Sequence, residues 1–392
     1  MADFNFTVRA TDDLGAFSER DFSITVNNTM VTQYILSNTQ GHIATSVDGV
    51  NWTWQLNMHT PSQGGGKVIN GNGFWLLTKN RTQYYRSTDG LNWTLYDLPL
   101  ANTYFTHESL GQIYYNTKFV YGEGKIAFLG FRIAGSTRYY DFISTEDGIT
   151  WSAIAALNTS TSSISLNFYL FFNQLEYGNG TWFINYNRTT ANNQLGYRSV
   201  DGGVTWQPAW LTGNYSNFAY GTSRVSFMNG MWMAASTGAT YLLSNDTISW
   251  SEFSTPTTIS KNYAFSNALY ANGRIISFPE MYANTSLTTT FTGVPAAHLS
   301  VDGINWTVAE GKSPIGFGSS TAYHAYSNIV VSQNYVNSVY HNGKILAFSR
   351  IPRKPVMSID GGDTFTDMAL TQVDSTSPVE VIDIATVRLT DS

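Results

Sequence analysis

The chain has no cysteine and few charged residues. None of its 392 residues is Cys, and Asp, Glu, Lys and Arg together make up 12%, about half the usual share of roughly 25%. The lack of Cys excludes disulfides, thiolate metal sites and a cysteine nucleophile, and it leaves the compartment open. The formal net charge is −6, from 27 acidic and 21 basic residues. The chain therefore lacks the basic surplus of a nucleic-acid-binding protein.

Long apolar runs are also missing. No stretch of 18 apolar residues occurs, so no membrane-spanning helix is predicted and we expect no membrane insertion. No basic segment leads into an apolar stretch near Met1, so no signal peptide is predicted. The apolar residues, 42% of the chain, lie in short blocks, which is typical of β-strands.

A motif of the form Ser-x-Asp-Gly-x-x-Trp recurs seven times along the chain. The serines that open the copies are Ser46, Ser87, Ser144, Ser199, Ser244, Ser300 and Ser358. The aspartates are Asp48, Asp89, Asp147, Asp201, Asp246, Asp302 and Asp360. The aromatic residues that close the copies are Trp52, Trp93, Trp151, Trp206, Trp250, Trp306 and Phe365. Successive serines are 41, 57, 55, 45, 56 and 58 residues apart, and periods of this size are typical of propeller blades or solenoid coils.

A second motif precedes six of the seven copies. It reads Asn-Gly followed by apolar residues, as in Asn72-Gly73, with Glu123-Gly124 as a variant. Asn-Gly before an apolar strand predicts a tight β-hairpin. Each repeat is therefore predicted to contain four antiparallel strands, which is the content of one propeller blade. The first copy lacks this element, and we expect a strand over residues 379–389 to complete that blade and close the ring.

These patterns predict an all-β chain with two parts. Residues 30–392 are predicted to form a seven-bladed β-propeller closed by the C-terminal strand. Residues 1–29 alternate apolar and polar residues around a turn, and they resemble the last hairpin of a bacterial immunoglobulin-like domain. Two strands cannot form a core alone, so we expect this hairpin to dock on the propeller or on another chain.

The residues of the seven-copy motif suit a structural role. The Asp carboxylate can accept hydrogen bonds from backbone N–H groups of its own turn, and Gly can supply a positive φ. Trp can fill the space between neighbouring sheets. The alternative is functional, with the Asp residues binding calcium or acting as acids.

The motif resembles the Asp-box, also called the bacterial neuraminidase repeat. Asp201 and Asp360 match its longer form, the other copies are one residue shorter, and Thr247 stands where the fifth copy should have Gly. Because proteins of unrelated activity contain such boxes, the resemblance implies a fold and not an activity.

Pairing of the short form with Asn-Gly strands is similar to propellers of bacteriophage and prophage structural proteins. That resemblance implies a non-enzymatic virion surface or tail component for attachment or decoration. Other virion proteins, contacted through the hairpin, are the implied partners, with a host-surface glycan as a second partner and homo-oligomerisation left open. No catalytic residue, cofactor or metal is implied.

The alternative is a secreted, extracellular carbohydrate-active enzyme such as a sialidase. Arg350-Ile351-Pro352 matches the Arg-Ile-Pro motif of sialidases. However, it precedes the last box, whereas the motif of that family precedes the first, and sialidases have six blades. Aromatic residues near long segments between strands could stack on sugars, or they could pack between blades. These residues are Tyr104, Phe105, Tyr114, Tyr115, Tyr139, Tyr140 and those of 168–172.

Overall fold

A computed structural model describes most of the chain. The described residues are 2–11, 13, 15–26, 32–61, 65–80, 82–98, 119–134, 137–159, 175–185, 194–211, 222–236, 240–254, 263–281, 296–312, 336–349, 355–370 and 381–387. They form β-strands joined by turns, with no α-helix among them. Within those ranges no helix has the length and hydropathy needed to cross a membrane.

The strands form seven sheets of four antiparallel strands each, in addition to the N-terminal hairpin, and the sheets are arranged as a β-propeller. The hairpin consists of β1 (Ala2–Thr11) and β2 (Phe17–Val26). Blade 1 contains β3 (Tyr34–Asn38), β4 (Ile43–Ser46) and β5 (Thr53–Gln55), and it is completed by β31 (Val381–Thr386). Blade 2 contains β6 (Val68–Gly71), β7 (Phe74–Thr78), β8 (Gln83–Ser87) and β9 (Thr94–Asp97). Blade 3 contains β10 (Val120–Gly122), β11 (Lys125–Ala134), β12 (Thr137–Thr145) and β13 (Ser152–Thr159).

The remaining blades follow the same plan. Blade 4 contains β14 (Leu175–Gly178), β15 (Thr181–Asn185), β16 (Gln194–Ser199) and β17 (Gln207–Trp210). Blade 5 contains β18 (Thr222–Met228), β19 (Met231–Ser236), β20 (Thr240–Ser244) and β21 (Ser251–Ser254). Blade 6 contains β22 (Tyr263–Ala271), β23 (Arg274–Met281), β24 (His298–Ser300) and β25 (Thr307–Val308). Blade 7 contains β27 (Val336–His341), β28 (Lys344–Ser349), β29 (Val356–Ser358) and β30 (Thr364–Asp367), and the short strand β26 (Glu310–Gly311) joins its edge.

The first strand of each blade lies innermost, and these seven strands form a closed cycle. They contact one another in the order β6, β10, β14, β18, β22, β27, β31 and back to β6. β31 pairs antiparallel with β3, with Leu36 opposite Ile384. The prediction that the C-terminal strand completes the first blade is therefore confirmed, although the strand is shorter than residues 379–389.

Blade 7 has a fifth strand that the repeat pattern did not predict. β26 runs parallel to β30 and covers its outer edge. Glu310 donates its N–H to the Asp363 carbonyl at 2.9 Å, and Lys312 donates to the Phe365 carbonyl at 2.8 Å. The pairing satisfies part of an edge that would otherwise present open backbone groups.

The six predicted Asn-Gly hairpins form because both turn residues take left-handed backbone angles. Asn72 has φ of 53° and Gly73 of 79°, and the Glu123-Gly124 variant has 50° and 71°. Two successive positive φ values are typical of the type I′ turn, whose twist matches that of the flanking strands.

The N-terminal hairpin has continuous pairing from Ala2 opposite Val26 to Thr11 opposite Phe17. Near its turn, Arg9 donates to Glu19 Oε1 at 2.6 Å, and its guanidinium lies 4.3 Å from the centre of the Phe17 ring. The division of the chain at residues 29 and 30 stays a prediction.

Candidate functional site

The seven predicted aspartates all lie in the turn between the third and fourth strands of a blade, here called the Asp turns. In blade 2, Asp89 Oδ1 accepts the N–H groups of Leu91 and Asn92, both at 2.8 Å. Ser87 Oγ donates to the same oxygen at 2.9 Å and accepts the Gly90 N–H at 2.8 Å. Ser87 Oγ also accepts the Asp89 N–H at 3.2 Å, so one Ser and one Asp together satisfy four backbone donors and close the turn.

Two turns are one residue longer and use threonine to close. In blade 4, Thr205 donates its N–H to Asp201 Oδ1 at 2.9 Å and its hydroxyl to Asp201 Oδ2 at 2.5 Å. In blade 7, Thr364 makes the same two contacts with Asp360, at 3.0 and 2.5 Å. The Thr hydroxyl here binds the Oδ2 oxygen that an Asn side chain binds in three of the shorter turns, those of Asp48, Asp89 and Asp302.

Two turns depart from the predicted residues. In blade 3 the hydroxyl comes from Thr145 and not from Ser144: Thr145 Oγ1 donates to Asp147 Oδ1 at 3.1 Å and accepts the Gly148 N–H at 2.8 Å. The alignment on Ser144 was wrong because the Asp lies two residues after the hydroxyl in every turn.

In blade 5, Thr247 takes the position of Gly with φ of 62°, a left-handed angle that is strained for a β-branched residue.

Hydrogen bonding keeps the turn carboxylates ionised. The backbone N–H groups of Ile149 and Thr150 lower the pKa of Asp147 to about 2. Burial raises the pKa of Asp89, but the hydrogen bonds from Asn92 and Leu91 outweigh it and bring the value to about 2. The turn bonds likewise lower the pKa values of the other five, namely Asp48, Asp201, Asp246, Asp302 and Asp360. Each carboxylate is hydrogen-bonded within its own turn, so its role is to stabilise that hairpin.

The aromatic residue of a turn packs against the preceding blade. Trp151 Nε1 donates to Tyr84 Oη at 3.0 Å, and that hydroxyl donates to the Gly148 carbonyl at 3.0 Å. Trp306 contacts Tyr241 in the same way. Ring contacts of this kind also join Trp206 to Phe142, Trp250 to Phe183 and Phe365 to Phe278. These side chains fill the space between blades.

The two remaining turn aromatics also pack on apolar clusters shared with the preceding blade, Trp52 with blade 7 and Trp93 with blade 1. Trp52 lies 6.3 Å from Tyr34 of its own blade, between ring centres, and it donates to the Gly49 carbonyl at 3.2 Å. Trp93 packs on the apolar cluster between blades 1 and 2, which contains Trp75. Its indole N–H is buried and has no hydrogen-bond partner among the described residues.

The Asp turns and the Asn-Gly turns share one face of the propeller, here called the turn face. In an antiparallel blade the first and third turns leave the sheet at the same end. Contacts between blades follow from this: Asn72 Nδ2 donates to the Glu146 carbonyl at 2.6 Å, and Lys125 Nζ donates to the Gly202 carbonyl at 3.2 Å. Each such contact joins an Asn-Gly turn to the Asp turn of the next blade.

A small cavity of about 340 Å³ lies on the turn face between blades 6 and 7. It is lined by Asn272, Arg274, Gly343, Ile359, Asp360 and Gly361. Its basic group, Arg274, forms an ion pair with Asp363. In the described part of the chain, no group of three or more His, Cys, Asp or Glu is arranged to hold a metal ion.

The repeat analysis missed an interlock between the innermost strands. A Cβ added to Gly71, Gly122 or Gly178 would lie within 2.3 Å of a ring atom of the next blade. The rings belong to Tyr121, Tyr177 and Phe227, in that order. The Tyr-Gly pairs at 121–122 and 177–178 are the signal in the sequence, because each pair supplies a ring to one neighbour and a space to the other.

Several predicted candidates lie outside the description. Arg350, Ile351 and Pro352 fall in an undescribed segment, as do Tyr104, Phe105, Tyr114, Tyr115 and residues 168–172. The backbone of Tyr139 and Tyr140 belongs to β12, but their side chains are not described.

The seven blades and the closed cycle of their innermost strands define a seven-bladed β-propeller. No protein-family model matches the chain, and no curated protein matches its sequence. Among solved structures, AztD from Citrobacter koseri is 8% identical with a TM-score of 0.39, and the match covers 97% of this chain and 94% of that one.

Carbohydrate-related proteins are also among the similar structures. The endosialidase of phage phi92 is 8% identical with a TM-score of 0.38, over 84% of this chain and 65% of that one. A glycosyl hydrolase from Bacteroides ovatus is 12% identical with a TM-score of 0.36, over 68% and 86%. At these identities the likeness concerns the fold alone.

Proposed function

We propose that the chain is a non-enzymatic binding and scaffold propeller of a bacteriophage virion, at its surface or tail. The observation that carries the non-enzymatic part is the state of the seven turn carboxylates. Asp89, for example, has both oxygens engaged, Oδ1 by the turn and Oδ2 by Asn92 Nδ2 at 2.7 Å. A general acid or nucleophile needs an oxygen within reach of substrate, whereas every turn aspartate binds its own hairpin through Oδ1, and five of the seven also do so through Oδ2.

The proposal assigns attachment or decoration to this propeller, with a host-surface glycan as ligand. It is supported by the pairing of short Asp turns with Asn-Gly hairpins, the sequence combination similar to phage structural propellers. The hairpin of residues 1–29 is proposed to contact other virion proteins, because two strands form no core of their own.

Two measurements test the proposal. Antibodies against the chain should label the surface of particles released by the host that encodes it, and particles without label would refute the virion location. A glycan panel should show binding that Tyr104→Ala or Tyr114→Ala weakens and that Phe17→Ala, a change on the hairpin, leaves unchanged.

The enzymatic alternative is tested separately. The full chain should not turn over sialosides or aryl glycosides. Turnover that Arg350→Ala abolishes, with an unchanged melting temperature, would establish a sialidase-like enzyme instead.

A further inference from the structure

The Asp turns present an unusual number of exposed aliphatic side chains. Ten of them are between 41% and 70% exposed, and every blade contributes at least one. They are Val47, Val50, Leu91, Ile149, Val200, Val204, Ile248, Val301, Ile304 and Ile359. Single exposed aliphatic residues need no explanation, but their recurrence in the same turn of all seven blades calls for one, because exposed apolar surface on one face is typical of interaction sites.

The turn itself does not require these side chains. Ile304 follows Gly303, the residue of its turn with a positive φ. It contributes only its backbone to the turn, since its N–H donates to Asp302 Oδ1 at 2.8 Å. Asp363 occupies that position in blade 7, and the Asp360 turn still closes. Similarly, Thr88, Glu146 and Asn245 precede the aspartate in three turns, whereas the other four have Val or Ile there. Polar residues would serve the fold equally well.

The same face is acidic. Among the described residues, its turns and the residues adjoining them contain ten carboxylates, the seven turn aspartates with Glu123, Glu146 and Asp363. Five basic groups lie beside them: Arg86, Lys125, Arg198, Arg274 and Lys344. Two of these are committed to ion pairs, Lys125 with Glu123 and Arg274 with Asp363. Carboxylates therefore outnumber bases two to one.

We propose that the turn face docks a protein partner whose contact surface combines aliphatic or aromatic side chains with Lys and Arg. Charge complementarity selects this occupant, because opposite potentials favour a basic partner. Two copies of this chain placed face to face would oppose two acidic rings, and an anionic membrane would be repelled. The strongest contact is expected at Val301 and Ile359, which are 69% and 70% exposed, with the cavity of about 340 Å³ beside Ile359. The proposal does not depend on the virion assignment.

The test uses three synthetic peptides of equal length and measures binding to the full chain by calorimetry. A Lys/Leu peptide should bind, whereas a Lys/Gly peptide and a Glu/Leu peptide should bind at least tenfold more weakly. Raising NaCl from 0.05 to 0.5 M should weaken the Lys/Leu binding, because salt shortens the distance over which charges attract, from about 10 Å at 0.1 M to roughly 3 Å at 1 M.

Variants locate the binding on the molecule. The double variant Val301→Thr/Ile359→Thr should weaken Lys/Leu binding at least tenfold with an unchanged melting temperature. The matched control is Leu56→Thr/Leu95→Thr, which removes two aliphatic side chains that are 48% and 41% exposed outside the Asp turns. It should leave binding unchanged.

Four results would overturn the proposal: no Lys/Leu binding, equal binding of all three peptides, equal loss in the control variant, or concentration-dependent dimerisation that Val301→Thr/Ile359→Thr abolishes. Binding of phosphatidylglycerol vesicles that the same double variant abolishes would assign the face to lipid instead.

Discussion

Replacing Asp89 with Ala should destabilise blade 2 without altering its core. The substitution removes the acceptor for the Leu91 and Asn92 N–H groups, both at 2.8 Å, and the partner of Ser87 Oγ at 2.9 Å. It also removes the contact of Asn92 Nδ2 with Oδ2 at 2.7 Å. No large apolar side chain is lost, so the effect isolates the turn chemistry.

The magnitude follows from the exposure of the donors. Leu91 and Asn92 are both exposed, so water can replace the lost acceptor and the full penalty of a buried unpaired donor does not apply. With a net value of about 0.5–1.5 kcal/mol for each hydrogen bond, and partial replacement by water, the free energy of unfolding should fall by about 1–2 kcal/mol.

The effect should depend on pH. The pKa of Asp89 is about 2 in the folded chain and roughly 3.9 in an unfolded one. The folded state therefore gains stability from the ionised group above about pH 4, and that gain is lost as the pH falls towards 2. The difference between wild type and Asp89→Ala should be full at pH 7 and should shrink below pH 4.

Urea denaturation followed by Trp fluorescence at pH 7 and pH 3 measures both quantities. Asp97→Ala is the matched control, because Asp97 is an exposed acid of the same blade that accepts a single hydrogen bond from Gln83 Nε2 at 3.0 Å. It should change stability by no more than about 0.5 kcal/mol. A variant Asp89→Ala as stable as the control, or a loss of the same size at both pH values, would refute the reasoning.

Three further outcomes are expected. Tyr84→Phe should lower the free energy of unfolding by about 1–2 kcal/mol, since it removes the hydroxyl that links Gly148 and Trp151; an unchanged urea midpoint would contradict this role. His298 is 1% exposed, and burial lowers its pKa to about 4. NMR titration of its ring should therefore give a midpoint near 4, and the stability contributed by the neutral ring should be present above about pH 6.5 and lost towards pH 4. Deleting residues 379–392 should cause aggregation in size-exclusion chromatography, because it removes the strand that closes the ring; a monomeric, equally stable product would show that closure is dispensable.

The local parts of this fold could be read from the sequence. The number of blades, the Asp turn of all seven blades and the Asn-Gly turn of six are encoded in short windows that repeat, and the closing strand is the spare apolar segment after the last repeat. A turn such as Ser87 to Gly90 closes through bonds among neighbours in the chain, so residue types at fixed spacing are sufficient. The Ser144 alignment failed for a related reason, since two adjacent hydroxyl residues compete for one place and only the geometry shows that Thr145 takes it.

Only the tertiary structure decided which distant residues meet. Trp151 reaches Tyr84, which is 67 positions away, and the parallel strand β26 covers the edge of blade 7; neither pairing is encoded near the residues themselves. The exposure of Val301 and Ile359 is equally non-local, because an aliphatic residue in a turn can face solvent or a neighbour. These outcomes depend on how the blades lie against one another, and the closed ring sets that arrangement for all seven blades at once.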